Sequence, residues 1–314
     1  MLPTVDRQDE KYSEPKRIAC GACHHFVTKP QYLRHTASVK CLSIEAQTEG
    51  LHVSTRRYFL SSRPRRYAAE VASDPATVRA TQALRYHVFA EEMGAHLHTR
   101  IEGLDYDEID DYCDHLLVRD TQTGQIVACT RLLDDIQAAR LGRFYSEGEF
   151  QLDEVLALPG RFLEIGRTCV DPSHRGSVVL GTLWNGLAEY VYNGRFNYLM
   201  GCASIPPGPS GFAVDAVYRQ IEPHQFGPSE LLVRSKNPVP AHKRCVQDES
   251  GIPPLLQAYL RLGCWVLGDP FWDEDFNVMD VFILLDLSRM QARYEKRFIA
   301  SKQESSRAAL SAVV

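Results

Sequence analysis

The segment Phe162-Leu163-Glu164-Ile165-Gly166-Arg167-Thr168-Cys169-Val170 sets a carboxylate and a guanidinium inside an otherwise apolar run. A strand alternates its side chains between two faces, and burying a charge costs free energy unless it is paired or used. Two readings stand open: a structural ion pair, or an acid and a cation lining a cleft. Desolvation raises the proton affinity of a buried carboxylate, which makes Glu164 the candidate general base. Arg167, three positions on, points to the other side of a regular strand. It joins Glu164 in one cavity only through a bulge, for which Gly166 is the expected place.

The next residues, Asp171-Pro172-Ser173-His174-Arg175-Gly176-Ser177, turn the chain into a helix. The first amides of a helix lack intrahelical partners and its dipole favours an anion there. Gly176 lets a ligand approach the backbone and Arg175 adds a charge-assisted donor, so Arg175, Gly176 and Ser177 form a candidate phosphate site. Three further groups carry charge or aromatic surface toward the interior. Arg85 and Phe89 lie on an apolar helical stripe, Arg131 lies within a strand, and Asp110-Asp111-Tyr112-Cys113-Asp114 is an acidic run. Arg131 and Arg85 suit a carboxylate or phosphate; Asp111 and Asp114 suit an ammonium or the orientation of those arginines, with a solvated acidic face as the bland alternative.

The elements that must position these residues are legible in part. Asp74-Pro75 is a helix start, followed by a 3.6-residue stripe through Val78, Thr81, Leu84, Arg85, Val88 and Phe89. Strands are expected over 115–119, 125–133, 162–170 and 198–203, with a helix over 178–192 whose Trp184 belongs to the core. Residues 204–252, rich in proline and glycine, read as a long functional insertion. A short helix over 254–262 ends at Gly263, strands follow over 265–267 and 278–285, and a last helix carries Leu287, Met290, Tyr294 and Phe298. Clean periodicity begins near Tyr67. The expected organisation is therefore an N-terminal extension over 1–66, poorly ordered, one α/β domain over 67–300 and a frayed tail over 301–314.

Composition narrows the partners. With 314 residues, 44% of them apolar, the chain can bury a sizeable core, and its net charge of −5 argues against nucleic acid. Arg56, Arg57, Arg63, Arg65 and Arg66 gather positive charge before the first strand, which suits an acidic carrier protein, an anionic membrane or a solvated linker. Nine cysteines without a leading apolar segment suggest reduced thiols and a cytoplasmic protein. No apolar stretch approaches the roughly 20 residues of a spanning helix, so membrane contact is expected to be peripheral. Cys20, Cys23, His35 and Cys41 resemble a zinc knuckle in spacing, but one CxxC is a weak signal, and no metal is assigned.

Val170-x-Pro172-x-x-Arg175-Gly176, between a strand and a helix, resembles the acyl-donor loop of GNAT acyltransferases. Ser177, Val178, Val179 and Leu180 stand where that pattern has further glycines, a departure like that of enzymes fed by acyl carrier protein. Arg85, Phe89, the acidic run, Arg131, Glu164 and Arg167 follow the order of the charged set in acyl-homoserine-lactone synthases, without that family's tryptophan after the arginine-phenylalanine pair. The segments Leu84-Arg85-Tyr86-x-Val88-Phe89-x-Glu91-Glu92-Met93-Gly94, Tyr112-Cys113-Asp114-His115-Leu116, Phe144-Tyr145-Ser146-Glu147 and Tyr259-Leu260-Arg261-Leu262-Gly263, with Asp273-x-Asp275-Phe276-Asn277, are similar to the L-ornithine N-alpha-acyltransferases of ornithine-lipid synthesis.

The resemblance implies a single GNAT-like domain with a mixed, mostly antiparallel sheet flanked by helices. It also implies transfer of a 3-hydroxyacyl group from acyl carrier protein to the α-amine of L-ornithine, giving the lyso lipid near the inner membrane. No cofactor is implied beyond the carrier's own phosphopantetheine. Glu164 and Arg167 are then the catalytic pair; Arg85, Phe89, Asp111, Asp114 and Arg131 bind substrate; Arg175, Gly176 and Ser177 take the donor phosphate. Asp273, Asp275 and Asn277 either meet the second amine of ornithine or form a turn. Rival readings are another N-acyl amino acid synthase, an acyl-homoserine-lactone synthase, or a non-catalytic acyl-carrier or membrane-binding module.

Overall fold

A computed structural model of the protein describes residues 65–231, 233–245 and 251–290. The expected N-terminal extension with Cys20, Cys23, His35 and Cys41, the cations Arg56, Arg57 and Arg63, and the tail after residue 290 lie outside the described residues.

In chain order the elements are β1 (Tyr67–Val71), α1 (Pro75–Tyr86), β2 (Asp114–Asp120), β3 (Ile126–Asp134), α2 (Asp135–Leu141), β4 (Phe150–Gln151), α3 (Asp153–Leu156) and β5 (Phe162–Val170). They continue with α4 (Ser177–Gly194), β6 (Tyr198–Ile205), α5 (Val214–Arg219), β7 (Arg234–Ser235), α6 (Pro254–Leu262), β8 (Trp265–Val266), β9 (Phe271–Asp273) and β10 (Val278–Asp286). Local chemistry sets several ends. The Asp74 side chain accepts from the N–H groups of Ala76 and Thr77 with proline at the first helical position of α1. Gly263, at φ 106°, ends α6 in the left-handed region that a Cβ disfavours.

The main sheet runs β1-β2-β3-β5-β6-β10-β8, with β9 added beside β10. Every neighbour pair is antiparallel except β5 with β6, and that parallel pairing covers only Phe162, Leu163 and Glu164 against Tyr198, Leu199 and Met200. Alternation divides the strands between two faces. Leu116, Val118 and Ala128 pack under Val179, Leu183, Leu187 and Val191 of α4. Leu117, Cys129 and Cys169 pack on the other side, against Leu84 of α1 and Val88 and Phe89 of the π-helical segment His87–Glu92 that continues it. Clamped between helices, β2, β3 and β5 give the site a rigid wall.

Of the expected last helix the described residues include only a 3₁₀ turn at Leu287–Arg289, and Tyr294 and Phe298 lie outside them. The stretch 204–252 holds real elements, α5 and the short ribbon β4 with β7. The helix α2, capped by Asp134 and closed by Gly142 at φ 96°, follows β3 directly, where its seven residues are too few to show a periodic stripe.

Candidate active site

Beyond Glu164 and Met200 the strands β5 and β6 no longer pair, and a cavity of about 540 Å³ opens there. Its walls include Glu164 to Val170 of β5, Cys202 and Ser204 of β6, Asp280 of β10, and Arg175, Gly176 and Ser177 at the start of α4. Gly201 allows the strands to come close before they part: a Cβ there would stand 2.4 Å from the Ile165 carbonyl oxygen.

Glu164 and Arg167 share this cavity because β5 carries a bulge. Cys129 faces Cys169 and Arg131 faces Gly166, so Arg167 and Thr168 together oppose Thr130. The residue that takes the left-handed conformation is Arg167, at φ 50°, and not Gly166 as the sequence suggested. That backbone costs a non-glycine residue roughly 1–2 kcal/mol. The Thr130 hydroxyl steadies it, donating to the Gly166 carbonyl at 3.1 Å and lying 2.7 Å from the Thr168 hydroxyl. The Arg167 guanidinium sits over the rings of Tyr145 at 5.1 Å and Phe276 at 4.9 Å. Its Nε is buried without a hydrogen-bond partner, 3.4 Å from Asp105 Oδ2. A buried donor in that state suits a ligand oxygen.

Glu164 is held tightly. One oxygen accepts from the Tyr145 N–H at 2.6 Å, and the other accepts from the N–H and hydroxyl of Ser146, at 2.7 Å for the N–H. Burial pushes its carboxyl above the usual range, against those three donors, which favour the charged form.

The arginines meet a different set of acids from the one expected. Asp107 starts a 3₁₀ turn over Glu108–Tyr112 as a capping box with Asp110, and this directs Asp105, Asp107 and Asp110 inward. Arg85 binds Asp105 at 2.8 Å and Asp110 at 2.7 Å; Arg131 binds Asp107 at 2.6 Å and Asp110 at 3.2 Å. Burial opposes charge on Asp110, but the Arg85 bonds outweigh it and hold its carboxyl down at about 2. Arg85 also donates to the Asp105 carbonyl and is 1% exposed, away from the cavity. Its guanidinium is thus taken up by buried acids. Asp111 and Asp114 accept from the hydroxyls of Tyr106 and Tyr190 and do not line this cavity. The Asp107-x-x-Asp110 spacing was the available signal. Arg131 and Phe89 do line the cavity, with Phe89 edge-on to Phe276.

The cavity also has an acidic wall in Asp273 and Asp280, backed by Glu149, which does not itself line it; the sequence did not point to Glu149 or Asp280. With Asp273 these place carboxylate oxygens within 4.8 Å of one another. Burial first, and mutual repulsion second, pushes Glu149 up to about 8; burial pushes Asp280 up to about 7. Asp280 accepts from the Ser204 hydroxyl at 2.6 Å, and the Cys202 thiol contacts Glu149 at 3.0 Å. Their convergence depends on β6, β10 and the residue before β4, a long-range pairing with no local signature. Of the other residues suggested for a second amine, Asp275 and Asn277 lie outside the cavity lining.

At the mouth, α4 begins with Gly176 as an N-cap without a side-chain cap, leaving its first amides free for an anion. Arg175 is paired with Glu92 at 2.6 Å.

Residues 84–185, which span Arg131, the bulged strand and the start of α4, match the Acetyltransferase (GNAT) domain family. The parted parallel strands and the helix facing them are thus those of a GNAT-like, amide-forming N-acyltransferase. Within that class the chain belongs to the L-ornithine N(alpha)-acyltransferase family. It is 34% identical to the L-ornithine N(alpha)-acyltransferase of Rhodobacter capsulatus over 252 residues, 76% of this chain and 96% of the relative. It is 33% identical to that of Brucella abortus, over 80% of this chain and 95% of the relative. A solved structure of a CoA-dependent acyl-homoserine lactone synthase matches at 14% identity with a TM-score of 0.45, covering 71% of this chain and 84% of that one.

Proposed function

We propose that this enzyme transfers a 3-hydroxyacyl group from acyl carrier protein to the α-amine of L-ornithine, releasing a single-chain lyso-ornithine lipid. The observation that carries the reading is the polarity of one cavity. Arg167, whose Nε makes no hydrogen bond although Asp105 Oδ2 stands 3.4 Å away, suits the substrate carboxylate, with the Asp107- and Asp110-bound Arg131 beside it in the lining, while Asp273 and Asp280, backed by Glu149, suit a second ammonium. The names of the curated relatives support the same amino acid.

Glu164, directly or through a water, takes the proton of the α-ammonium, and the freed amine attacks the thioester carbonyl. The tetrahedral intermediate collapses as the C–S bond breaks; the nitrogen gives up its second proton, and the leaving thiolate of the carrier's pantetheine takes up a proton in exchange. The C–N bond formed is the amide. Val88, Phe89, Met93, Leu180 and Leu255 give the acyl chain an apolar wall, and the Arg175-Gly176-Ser177 turn suits the single phosphodiester of the carrier arm. Met93, Val178 and Leu255 are exposed hydrophobics near this mouth, which supports peripheral membrane contact for a lipid product. Among the described residues no helix is long and apolar enough to cross a membrane.

The test is purified protein with 3-hydroxyacyl-loaded carrier protein and L-ornithine, followed by mass detection of the amide. Acylation of glycine but not ornithine would sink the acceptor. Turnover from acyl-CoA but not from the loaded carrier would sink the donor.

A further inference from the structure

Two exposed histidines meet a carboxylate outside the reaction cavity, next to the residue Phe276 that lines it. The segment His96-Leu97-His98 lies against the turn between β9 and β10, held there by a hydrogen bond from the His96 N–H to the Asp275 carbonyl at 2.7 Å. His98 Nε2 stands 3.0 Å from Asp275 Oδ2, and His96 Nδ1 stands 3.8 Å from Asp275 Oδ1. One ligand atom from each of the three residues lies within 4.8 Å of the others.

We propose that His96, His98 and Asp275 bind a divalent cation of the zinc class, tying the 96–98 loop to the β9–β10 turn. Around a tetrahedral zinc with bonds of about 2.0–2.2 Å the ligand atoms stand roughly 3.3 Å apart, so the set closes by rotating its rings and contracting about 1.5 Å. The side chains are free to do this, being 78%, 70% and 45% exposed. The turn itself is preformed. Asp273 Oδ1 accepts from the N–H groups of Asp275 and Phe276, and Asn277 takes the left-handed φ of 49°. Two imidazoles and one carboxylate favour zinc, cobalt or nickel over magnesium or calcium.

The site adjoins a second cavity of about 730 Å³, whose walls include His98, Arg100, Tyr106 and Asp275. The site also reaches the reaction cavity through one residue. Phe276, next to Asp275, packs on Phe89 and carries the Arg167 guanidinium over its ring. A bound ion would therefore fix the turn whose Phe276 packs against Arg167. The inference is independent of which amino acid the enzyme acylates.

The experiment is calorimetric titration of the metal-free full chain with zinc chloride, run beside the His96→Ala/His98→Ala double variant and His98→Asn. Both rings are exposed, so the variants keep the fold. The expected result is one equivalent of zinc whose affinity falls roughly 100-fold in the double variant. A zinc-dependent rise in Tm, reversed by EDTA and missing in the variant, accompanies it. Cobalt(II) should give the intense visible bands of a tetrahedral site in wild type only, and magnesium should give no heat. Because Cys20, Cys23, His35 and Cys41 are also potential ligands, the difference between the proteins is what counts. Identical isotherms for wild type and double variant overturn the proposal, as does an unchanged wild-type Tm with zinc.

Discussion

Glu164 and Arg167, three residues apart on one strand, line the same cavity because Arg167 and Thr168 jointly oppose Thr130. A regular strand would send one of them into a helix interface. The enzyme holds a non-glycine residue at φ 50° to bring them together, and this cost should be separable from its benefit. Arg167→Gly relieves the left-handed strain but removes the guanidinium and its ring contacts. The expected outcome is a Tm within roughly 3 °C of wild type and kcat/KM down about 100-fold or more. Calorimetry beside steady-state kinetics reads both; a variant retaining full kcat/KM would remove Arg167 from the site.

Glu164 should reveal its task through pH rather than rate alone. Glu164→Gln cuts turnover roughly 100-fold if the carboxylate is the base. It also turns an amide NH2 toward the N–H of Tyr145 or Ser146, so some stability is lost as well. The discriminating measurement is the pH–rate profile. Without the base, the residual rate should rise about tenfold per pH unit below the amine's pKa, near 8 for an α-amine. The wild-type profile levels off at lower pH, once Glu164 ionises. Parallel profiles would reduce Glu164 to a scaffold for Tyr145 and Ser146.

The strand Phe162–Val170 and the helix Pro254–Leu262 stand where periodicity, capping and a closing glycine place them, since those signals act within a few residues. The acids facing the arginines were displaced in the sequence reading. Asp111 differs from Asp110 only in which side of one 3₁₀ turn it occupies, a side set by the capping box, and Asp114 already belongs to β2. Glu149 and Asp280 were invisible for a different reason. They meet because β10 pairs with β6 and Glu149 precedes β4, contacts with no periodic trace. Arg167 as the bulged residue was equally hidden, since Gly166 beside it has the better intrinsic propensity for a left-handed backbone.

The acidic wall makes stability depend on pH in a stated direction. Asp280, at about 7 in the folded protein, and Glu149, at about 8, keep protons that the unfolded chain gives up near 4. The folded state then binds more protons between about pH 4 and pH 8, so stability falls as pH rises through that window and levels off above it. Asp280→Asn removes one of these protons while its amide oxygen can still accept from Ser204. Its Tm should exceed that of wild type by roughly 3 °C or more at pH 8 and match it near pH 4. The same variant should raise KM for ornithine, whose side-chain ammonium loses a partner, more than KM for the acyl donor. A wild-type Tm that is flat from pH 5 to 8 would show that the carboxylates ionise normally.

Arg85 is the opposite case, a charge that serves the fold. Its guanidinium is taken up by Asp105 and Asp110, and truncation leaves buried Asp110 with Arg131 alone and buried Asp105 with only the longer Arg167 contact. Arg85→Ala should cost about 3–5 kcal/mol, a fall in Tm of roughly 6–15 °C. Protein that remains folded below its new Tm should show an unchanged KM for the amine. A normal Tm with a raised KM would return Arg85 to the substrate site.

The start of α4 offers the remaining separation, between donor and acceptor. Arg175, Gly176 and Ser177 at the start of α4 line the same cavity as Asp273, Asp280 and Arg131 on other elements. A phosphodiester held at the uncapped helix start would feel the helix dipole, the free amides and the Arg175 charge together. Arg175→Ala leaves the amides in place and frees Glu92, now an unpaired anion beside the phosphate. Loss of one charge and gain of an opposing one should raise KM for the loaded carrier roughly 10-fold while KM for the amine stays level. Glu92→Gln should partly restore it by removing the repulsion, and the effect should shrink in high salt because both groups are substantially exposed. Equal KM for the carrier in wild type and Arg175→Ala would move the phosphate contact away from this turn.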